Sequence, residues 1–417
     1  MIDQPTTAGR APGRQAAFGF IFATAVMNAI SFGIMIPVLP NLLKEFTGGD
    51  YAAAAVWNVV FSVTWGLMQF LSGPILGLLS DRVGRRPVLL ISLFGLAVDF
   101  LFMALAPSLA WLFVGRIING ATAATFSTCG AYVADVAPPE RRAKAFGIMG
   151  SAFSFGLLIG PVLGGLLAEQ SLRLPFFVAA AVTAVNWVYG LLVLPESLPI
   201  ERRITAFEWR RANPLGSLVF LRRHTDLLAL ATINFLFQLA QTVLPQVFVL
   251  YAGYRYHWTP FTMGLAMMGT GVLGIAVQTL AVGPVVARIG EKGALLLGAL
   301  GGAVGFALYG YAPTGIAYLA AAPVFALFNF LPPGVQGLMT RRVGPSEQGQ
   351  LQGANQGLQG IASILGPFVF GGAFTLAVRN DARWHMPGLP IYVASAILLV
   401  VFALGLRIAP PPKAASA

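Results

Sequence analysis

Apolar and polar positions alternate in long blocks along this chain of 417 residues. A helix that crosses the hydrocarbon core of a bilayer needs ~20 mostly apolar residues. Twelve blocks meet this requirement, at residues 18–41, 54–79, 87–106, 109–136, 145–168, 174–194, 225–251, 261–287, 294–311, 314–338, 351–378 and 388–408. Shorter polar intervals separate them. The pattern therefore predicts an all-α membrane protein with twelve transmembrane helices.

The longest polar interval, residues 195–224, divides these helices into two groups of six. Six of its residues are arginines: Arg202, Arg203, Arg210, Arg211, Arg222 and Arg223. We therefore predict an N-terminal six-helix bundle over residues 1–194, a cytoplasmic central loop over 195–224, and a C-terminal six-helix bundle over 225–417.

The two halves align at one fixed offset. RVGRRPVLLIS, from Arg82, aligns with RIGEKGALLLG, from Arg288, and GPVLGG, from Gly160, aligns with GPFVFGG, from Gly366. Gly147 pairs with Gly353 and Pro139 with Pro345, and every pair is 206 residues apart. One shared offset favours an internal duplication, and hence two pseudo-symmetric bundles. Such halves place a binding site at their interface, near the middle of the bilayer.

The basic residues predict the orientation of the helices. With both termini in the cytoplasm, 20 of the 26 Lys and Arg residues are cytoplasmic, 5 face outward, and Arg116 lies inside a span. Cytoplasmic loops carry such an excess of positive charge. The first apolar run is too long for the core of a signal peptide, so we predict that it is an uncleaved span.

Composition narrows the classes of function. Hydrophobic residues make up 57% of the chain and charged residues only 10%, whereas soluble proteins carry about 25% charged residues. The net charge is +11, but the bases punctuate apolar segments, so a nucleic-acid partner is not expected. With Cys129 as the single cysteine and no metal-site or nucleophile motif, we expect no metal, no cofactor and no enzymatic activity.

Three motifs resemble those of a known family. The three segments are GLLSDRVGRRP, from Gly77, GRIINGATAAT, from Gly115, and GSAFSFGLLIGPVLGGLL, from Gly150. They are similar to signatures of the major facilitator superfamily and of its twelve-helix drug/proton antiporters. Four further segments resemble those of the bacterial tetracycline-efflux branch: IMIPVLPNLL, VLLISLFGLAVDFLF, GEK and QLQG. The resemblance implies export of a small drug-like compound, with tetracycline as a candidate, in exchange for protons. It also implies alternating access in a bacterial inner membrane, by a monomer.

The chain departs from that branch at acidic positions. Tetracycline pumps of this type carry membrane-embedded acids in helices 1, 3 and 9, and here those positions are Asn28, Asp99 and Gly302. A histidine often found in helix 8 is replaced by Gly274. An importer or uniporter of a small metabolite therefore stays an alternative. A non-transporting membrane receptor or scaffold is an alternative of another class.

The charged loop between helices 2 and 3 is the predicted conformational latch. In the superfamily its acid and arginines bond to neighbouring helix ends in one conformation, and carboxylates gain at helix N-termini while arginines gain at C-termini. Gly84 would permit the tight turn. The predicted members are Asp81, Arg82, Gly84, Arg85 and Arg86, with Asp135 as a partner. The alternative is that the arginines only set topology.

Asp99 and Arg116 are predicted to interact. At 1.5 Å per residue, Arg116 lies about 10 Å and Asp99 about 12 Å from the outer face, on consecutive antiparallel helices. An ionisable residue inside a span is costly, so pairing or function is the default. We predict a role in proton coupling, and the alternative is a static pair that neutralises both charges.

Helix 5 carries the motif that resembles the antiporter signature: Gly150, Gly156, Gly160, Pro161, Gly164 and Gly165. Small residues let helices approach closely, and the resemblance implies that this stretch seals the two halves against leak. Tight packing alone is the other interpretation.

Neutral amides predict the substrate-binding surface. Helix 11 carries four on one face, at spacing 0, 3, 4 and 7, and helix 7 carries three at 0, 4 and 7. Amides do not face lipid without cost, so we expect them to point inward. The candidates are Asn28, Gln69, Asn119, Asn234, Gln238, Gln241, Gln278, Asn329, Gln336, Gln352, Asn355, Gln356 and Gln359. Some of them would only hold helices together.

Overall fold

The computed structural model describes residues 12–138, 141–204, 221, 225–344 and 347–408, and the regular elements in these ranges are helices. The first half contains α1 (Pro12–Met35, continued by Leu39–Phe46), α2 (Tyr51–Val83), α3 (Arg85–Leu105), α4 (Leu109–Thr122 and Thr125–Val136), α5 (Arg142–Ala168) and α6 (Leu174–Val193). A short turn of helix, Ile200–Arg202, follows α6.

The second half repeats this arrangement. It contains α7 (Thr225–Gln241 and Val243–Tyr256) and a long stretch made of Pro260–Ala276, the π-helical Val277–Ala281 and Val282–Tyr311. Gly290 divides this stretch into α8, before it, and α9, after it. The half ends with α10 (Gly315–Ala320, Ala322–Ala326, Leu327–Phe330 and Leu331–Thr340), α11 (Gln348–Gly366, π-helical Pro367–Gly371 and Gly372–Arg379) and α12 (Leu389–Arg407). Asp381–Trp384 forms a short turn before α12. We name the two ends of the bundle inner and outer by the predicted orientation.

The described residues form eleven helical stretches that are long and apolar enough to cross a membrane. One of them, Pro260–Tyr311, has 52 residues, and at 1.5 Å per residue it would be about 78 Å long. Since the hydrocarbon core is about 30 Å thick, this stretch crosses twice, and it bends at Gly290. The predicted break between helices 8 and 9 therefore lies at Gly290, and the described residues form twelve helices that cross the membrane.

Two glycines in left-handed conformations lie at equivalent positions of the predicted repeat. Gly84 separates α2 from α3 with φ 113°, and Gly290 separates α8 from α9 with φ 71°. A residue with a Cβ rarely adopts such angles. The aligned segments from Arg82 and Arg288 therefore share a backbone turn as well as sequence. The predicted pairs Pro139 and Pro345 lie outside the described residues.

Close helix packing brings the halves together along two seams. On one seam α5 meets α8, where a Cβ on Gly165 would meet the backbone of Pro260 and Phe261. On the other seam α11 meets α2, where a Cβ on Gly360 would lie 2.8 Å from Phe70. Helices α5 and α11 also pack inside their own halves, α5 against α1 and α11 against α7.

Large apolar side chains cover much of the outer surface of the bundle. Leu192 is 80% exposed, Leu280 75% and Ile316 82%. A soluble monomer rarely leaves extended apolar surface in water. Such a surface suits lipid, as expected for a multi-pass membrane protein.

Candidate functional site

A cavity of about 780 Å³ lies between the two halves, within the size range of sites for small organic molecules. The first half contributes α1, α2, α4 and α5, and the second half α7 to α11. Its polar lining comprises Asn58, Ser62, Gln238, Gln241, Thr242, Gln246, Thr270, Gln278, Asn329, Gln359 and Ser363. Its aromatic lining comprises Phe32, Phe61, Trp65, Phe248, Tyr309, Tyr318 and Phe325. Arg116 is the charged residue among these described wall residues.

Five of the thirteen predicted amides line this cavity. They are Gln238, Gln241, Gln278, Asn329 and Gln359. All five come from the second half, so the amide-rich wall belongs to that half. Asn58 and Gln246 also line the cavity, and the sequence analysis missed both because neither belongs to a polar stripe.

Three other predicted amides form a network inside the second half instead. Asn234 donates to Asn355 at 3.1 Å, and Asn355 donates to Gln336 at 3.3 Å. Asn234 and Asn355 are buried. The three side chains therefore join α7, α10 and α11 and are not among the residues that line this cavity, so their role in substrate binding stays a prediction.

Asn119 has an indirect relation to the cavity. It is buried and accepts a hydrogen bond of 2.6 Å from the indole Nε1 of Trp65. Trp65 itself lines the cavity. Asn119 thus orients an aromatic wall residue, and it does not form part of the wall.

The remaining predicted amides also lie away from the cavity wall. Asn28 is buried in α1, and Gln69 is half-buried in α2. Gln352 and Gln356 are exposed near the inner end of α11. Spacing identified the polar face of α11 correctly, but only its outermost member, Gln359, reaches the cavity.

Asp99 and Arg116 form a buried ion pair, with the Arg116 Nη2 atom 2.6 Å from the Asp99 Oδ2 atom. The Asp99 side chain is 0% exposed and that of Arg116 6%. Gly115 makes room for the carboxylate, since a Cβ there would lie 2.7 Å from Asp99 Oδ1. The predicted proximity is confirmed. Arg116 lines the cavity and Asp99 does not, so the carboxylate lies behind the guanidinium.

Neither polar group of this pair is fully satisfied. Asp99 Oδ1 and Arg116 Nε have no hydrogen-bond partner in the part of the chain that the structure describes. The other close neighbours of Arg116 Nη2 are the sulfur atoms of Met35, at 3.0 Å, and Met103, at 3.5 Å. The pair is therefore held by one strong contact in apolar surroundings.

The charged loop at the inner ends of α2 and α3 forms a connected cluster. Arg85 contacts Asp81 through Nη1, and its Nε donates to Asp135 at 3.1 Å. Arg86 donates to the Leu191 carbonyl at the end of α6 at 2.6 Å. These contacts match the predicted partners of the latch, including Asp135, whereas the exposed Arg82 lies at the surface. The latching role itself stays a prediction.

Glu196 completes this inner cluster, and the sequence analysis missed it. Its carboxylate accepts hydrogen bonds from the backbone N–H groups of Arg85, at 2.8 Å, and Arg86, at 3.2 Å. It thus stabilises the positive N-terminal end of α3. A Cβ on Gly84 would collide with this carboxylate. A side chain at Gly84 would therefore displace the Glu196 carboxylate from these N–H groups, besides straining the backbone.

The glycines of α5 have unequal surroundings. A Cβ on Gly156, Gly160 or Gly164 would collide with α1, and one on Gly165 with α8. The Pro161 carbonyl would meet a Cβ on Gly264 of α8. Gly150 faces open space. The outer two thirds of the predicted motif thus bring three helices into backbone contact, and its inner end does not.

The halves also meet at their outer ends. The rings of Tyr51 and Tyr254 lie edge to face with centroids 5.4 Å apart. Lys44 donates to the Tyr51 hydroxyl at 3.2 Å, and Tyr254 donates to Asp381 at 2.7 Å. We call these four residues the outer contact. Deeper in the bundle, Asn58 donates to the Gln246 carbonyl at 2.9 Å.

Comparison with known proteins identifies the family. The sequence model of the Major Facilitator Superfamily matches residues 21–367 and 230–417. The chain belongs to the Major Facilitator Superfamily. The predicted family and the predicted fold of twelve helices are thereby confirmed.

Two proteins named for tetracycline resistance are similar to this chain over nearly its whole length. The class C tetracycline resistance protein of Escherichia coli is 36% identical over 91% of this chain and 94% of its own length. The class H tetracycline resistance protein of Pasteurella multocida is 33% identical over 88% and 91%. The predicted likeness to tetracycline-resistance proteins is confirmed by these matches.

Solved structures share the fold at lower identity. The human organic anion transporter MFSD10 superposes with a TM-score of 0.68 and 23% identity, over 95% of this chain and 100% of that one. The nucleoside transporter NupG superposes with a TM-score of 0.76 and 14% identity, over 95% and 99%. Both are similar to this superfamily member in architecture.

Gly302 and Gly274 stand at the predicted positions of the helix 9 acid and the helix 8 histidine, and the space around these two glycines differs. A Cβ on Gly302 would lie 2.5 Å from Phe328 and 2.7 Å from Leu398, so an acidic side chain there has no room. Gly274 lines the cavity, and a Cβ on it would make an ordinary contact of 3.5 Å with Asn329. A larger residue at 274 would therefore fit and extend into the cavity.

Proposed function

We propose that this protein is a secondary active transporter that exports a small drug-like compound in exchange for protons. The observation that carries the proposal is the cavity between the halves, whose wall combines neutral amides, aromatic rings and one cation. Such a wall suits an organic molecule that is partly polar and partly aromatic. The relatives named for tetracycline resistance support a drug as the substrate.

The contacts between the halves support an inward-facing conformation. The outer contact joins the halves at one end of the bundle, and the close approaches of α5 and α8 lie in their outer portions, at Gly165 and Gly264. Alternating access would break these contacts and form others at the inner end. The inner cluster around Arg85 would take part in that exchange, since contacts of a few kcal/mol bias an equilibrium between two conformations.

The buried ion pair supports a route for proton coupling. Protonation of Asp99 would remove the charge that balances Arg116, and Arg116 would then present an uncompensated cation to the cavity. A cationic compound would bind less tightly to that form, and by linkage its binding would lower the affinity of Asp99 for the proton. This competition has the sign that exchange requires. An anionic compound would instead favour cotransport.

The setting follows from the same reasoning. We place the protein in a bacterial inner membrane, as a monomer that meets lipid on all sides, with both termini and the central arginine-rich loop in the cytoplasm. The excess of basic residues on that side supports this orientation. Small-molecule substrate and protons are its partners, and we propose no enzymatic activity.

Uniport or import of a small metabolite is the second candidate. It is favoured by the loss of acids at two of the three family positions, Asn28 and Gly302, because a proton exchanger with fewer acids has fewer places for its protons. The packing around Gly302 leaves no room for an acid there.

The test is a panel of drugs, tetracycline among them, on bacteria that lack their own pumps and express the chain. Protection that disappears when an uncoupler collapses the proton gradient supports proton-coupled export. Asp99→Asn should abolish that protection, while the exposed matched acid in Glu169→Gln should keep it. Protection that survives the uncoupler would refute proton coupling, and nutrient uptake without protection against any drug would favour the importer.

A further inference from the structure

The two halves meet again deeper in the bundle than the outer contact. Asn58 follows Tyr51 along α2 by two turns of helix, about 10 Å at 1.5 Å per residue. The Asn58 amide donates to the Gln246 carbonyl of α7 at 2.9 Å, and both residues are buried. This hydrogen bond crosses from the first half to the second. We call Asn58, Val59, Gln246 and Gly371 the deep contact.

The second half contributes two closely packed helices to the deep contact. A Cβ on Gly366 of α11 would collide with Thr242 of α7, so these two helices approach each other closely there. Further along α11, a Cβ on Gly371 would collide with Val59 of α2 and lie 3.2 Å from the Gln246 Nε2 atom. The Gln246 amide is therefore enclosed at the point where α2 of the first half meets α7 and α11 of the second.

The Gln246 amide nitrogen is buried and has no hydrogen-bond partner among the residues that the structure describes. The residue as a whole is 7% exposed. A buried donor without an acceptor costs free energy that the same donor does not cost in water. Folded proteins contain few such groups, so this one needs an explanation.

Two groups in the deep contact thus act on it in opposite directions. The hydrogen bond from Asn58 exists only while the outer ends are together, so it stabilises the inward-facing conformation. The Gln246 amide nitrogen is unpaired in that conformation, and outside water would reach it once α2 separates from α7 and α11. A group that gains its partner in the other conformation shifts the equilibrium toward that conformation.

We propose that Gln246 promotes opening of the outer end, because its unpaired amide limits the stability of the deep contact. Alternating access needs both conformations to be populated. A deep contact with every polar group paired would hold the outer end closed more firmly. This inference names a residue that sets the conformational equilibrium, and it rests on the proposed function by alternating access.

The experiment measures the separation of the outer ends in the full chain in lipid nanodiscs. Spin labels are attached to Gln170→Cys and Pro313→Cys, which replace exposed outer residues of the two halves. The buried Cys129 is removed by Cys129→Ser in all samples. Pulsed electron paramagnetic resonance then gives the ratio of outward-open to inward-facing molecules from the long and short distances.

The variants are Asn58→Leu, Gln246→Met and both together. Asn58→Leu should raise the ratio of outward-open to inward-facing molecules about three- to tenfold, as for one lost hydrogen bond. Adding Gln246→Met should then lower this ratio at least about fivefold, because methionine fills similar space without a buried donor. Gln350→Met is the matched control, since Gln350 is exposed on α11, and it should leave the ratio within about twofold.

Shifts of Asn58→Leu and Gln246→Met in the same direction would overturn the inference, since contacts that only pack are weakened by both substitutions. No shift with Asn58→Leu, or an equal shift with Gln350→Met, would also overturn it. The unfolding midpoint of Gln246→Met should be at least that of wild type, because a costly buried group is gone, and a lower midpoint would contradict this.

The cell assay separates this inference from the proposed function. Opposite shifts in a protein that exports no drug would overturn the proposed export and support the role of Gln246. Drug export together with shifts in the same direction would overturn the role of Gln246 alone.

Discussion

Replacing Arg116 with glutamine should destabilise the first half of the protein strongly. The Asp99 side chain is 0% exposed, and the one hydrogen bond it accepts from the described residues comes from Arg116, at 2.6 Å. Removing one partner of a buried ion pair costs about 3–5 kcal/mol, because the other charge is left uncompensated. This energy corresponds to an increase of about two to three and a half orders of magnitude in the unfolded population.

Replacing Asp99 instead of Arg116 should lower the stability less. In Asp99→Asn the charge left behind belongs to Arg116, which lines the cavity, whereas Asp99 lies behind it. The double variant removes both charges and should recover most of the loss, since an apolar or neutral replacement of a whole buried pair is often neutral. The two substitutions should therefore be far from additive, as expected for residues in contact.

The chain contains its own reporter for this measurement. Cys129 is the single cysteine, it is 1% exposed, and it packs in the first half beside Tyr132 and Val133. A fluorogenic thiol reagent, used at one temperature below the unfolding midpoints of all purified variants, reacts with Cys129 only when that half opens. When reclosing is fast, the labelling rate follows the open population.

At a common temperature we expect labelling of Arg116→Gln to be about 10²-fold faster than wild type, and that of the double variant to lie within about tenfold of wild type. Arg288→Gln removes an exposed arginine from the other half and should change the rate by about twofold at most. If Arg116→Gln and the double variant were labelled equally fast, the two charges would not be energetically coupled, and the reasoning from burial would be refuted.

Three further predictions concern glycines and the outer contact. Gly84→Ala should lower both the unfolding midpoint and the export activity more than Gly290→Ala does. Each substitution strains the backbone by roughly 1–3 kcal/mol, but of the two glycines only Gly84 faces a carboxylate. Equal effects of the two substitutions would contradict this reasoning. Gly160→Ala should impair stability by pushing α5 from α1, whereas Gly150→Ala, in open space, should be silent in the same thermal assay. Tyr254→Ala removes the ring that meets Tyr51 across the halves and should shift the halves toward the outward-open form, seen as longer distances between spin labels on opposing outer loops, and unchanged distances would exclude a role of the outer contact in closure.

Much of the fold was predictable because its determinants are local. The length of each apolar block follows from bilayer thickness, so the spans could be counted directly. The depth of Asp99 and Arg116 followed from the rise per residue, and their pairing was correct. The repeat was visible because Gly84 and Gly290 each serve a backbone turn that only glycine adopts easily. The break between helices 8 and 9 was also predicted, and it lies at the non-helical Gly290.

The cavity wall was predicted only in part, for a physical reason. Helical spacing shows which residues share a face, but not which neighbour that face meets. Asn355 and Gln359 lie one turn apart on α11, yet Asn355 bonds to Asn234 inside its own half while Gln359 reaches the cavity. Tyr309 looks like any core aromatic in sequence. The contact of Glu196 with the start of α3 joins positions more than a hundred residues apart, and no local pattern contains it.

The division of the cavity wall has a consequence for compounds of unusual size. Its cation, Arg116, comes from one half and most of its amides, with Tyr309 and Tyr318, come from the other, so a bound molecule lies between two bodies that must move toward each other at the inner end. A thin molecule lets them meet, but a thick or branched one acts as a wedge and holds them apart. Bulky analogues of a transported drug should then occupy the protein without being carried, and the same wall that accepts a cargo would make its enlarged derivatives inhibitors.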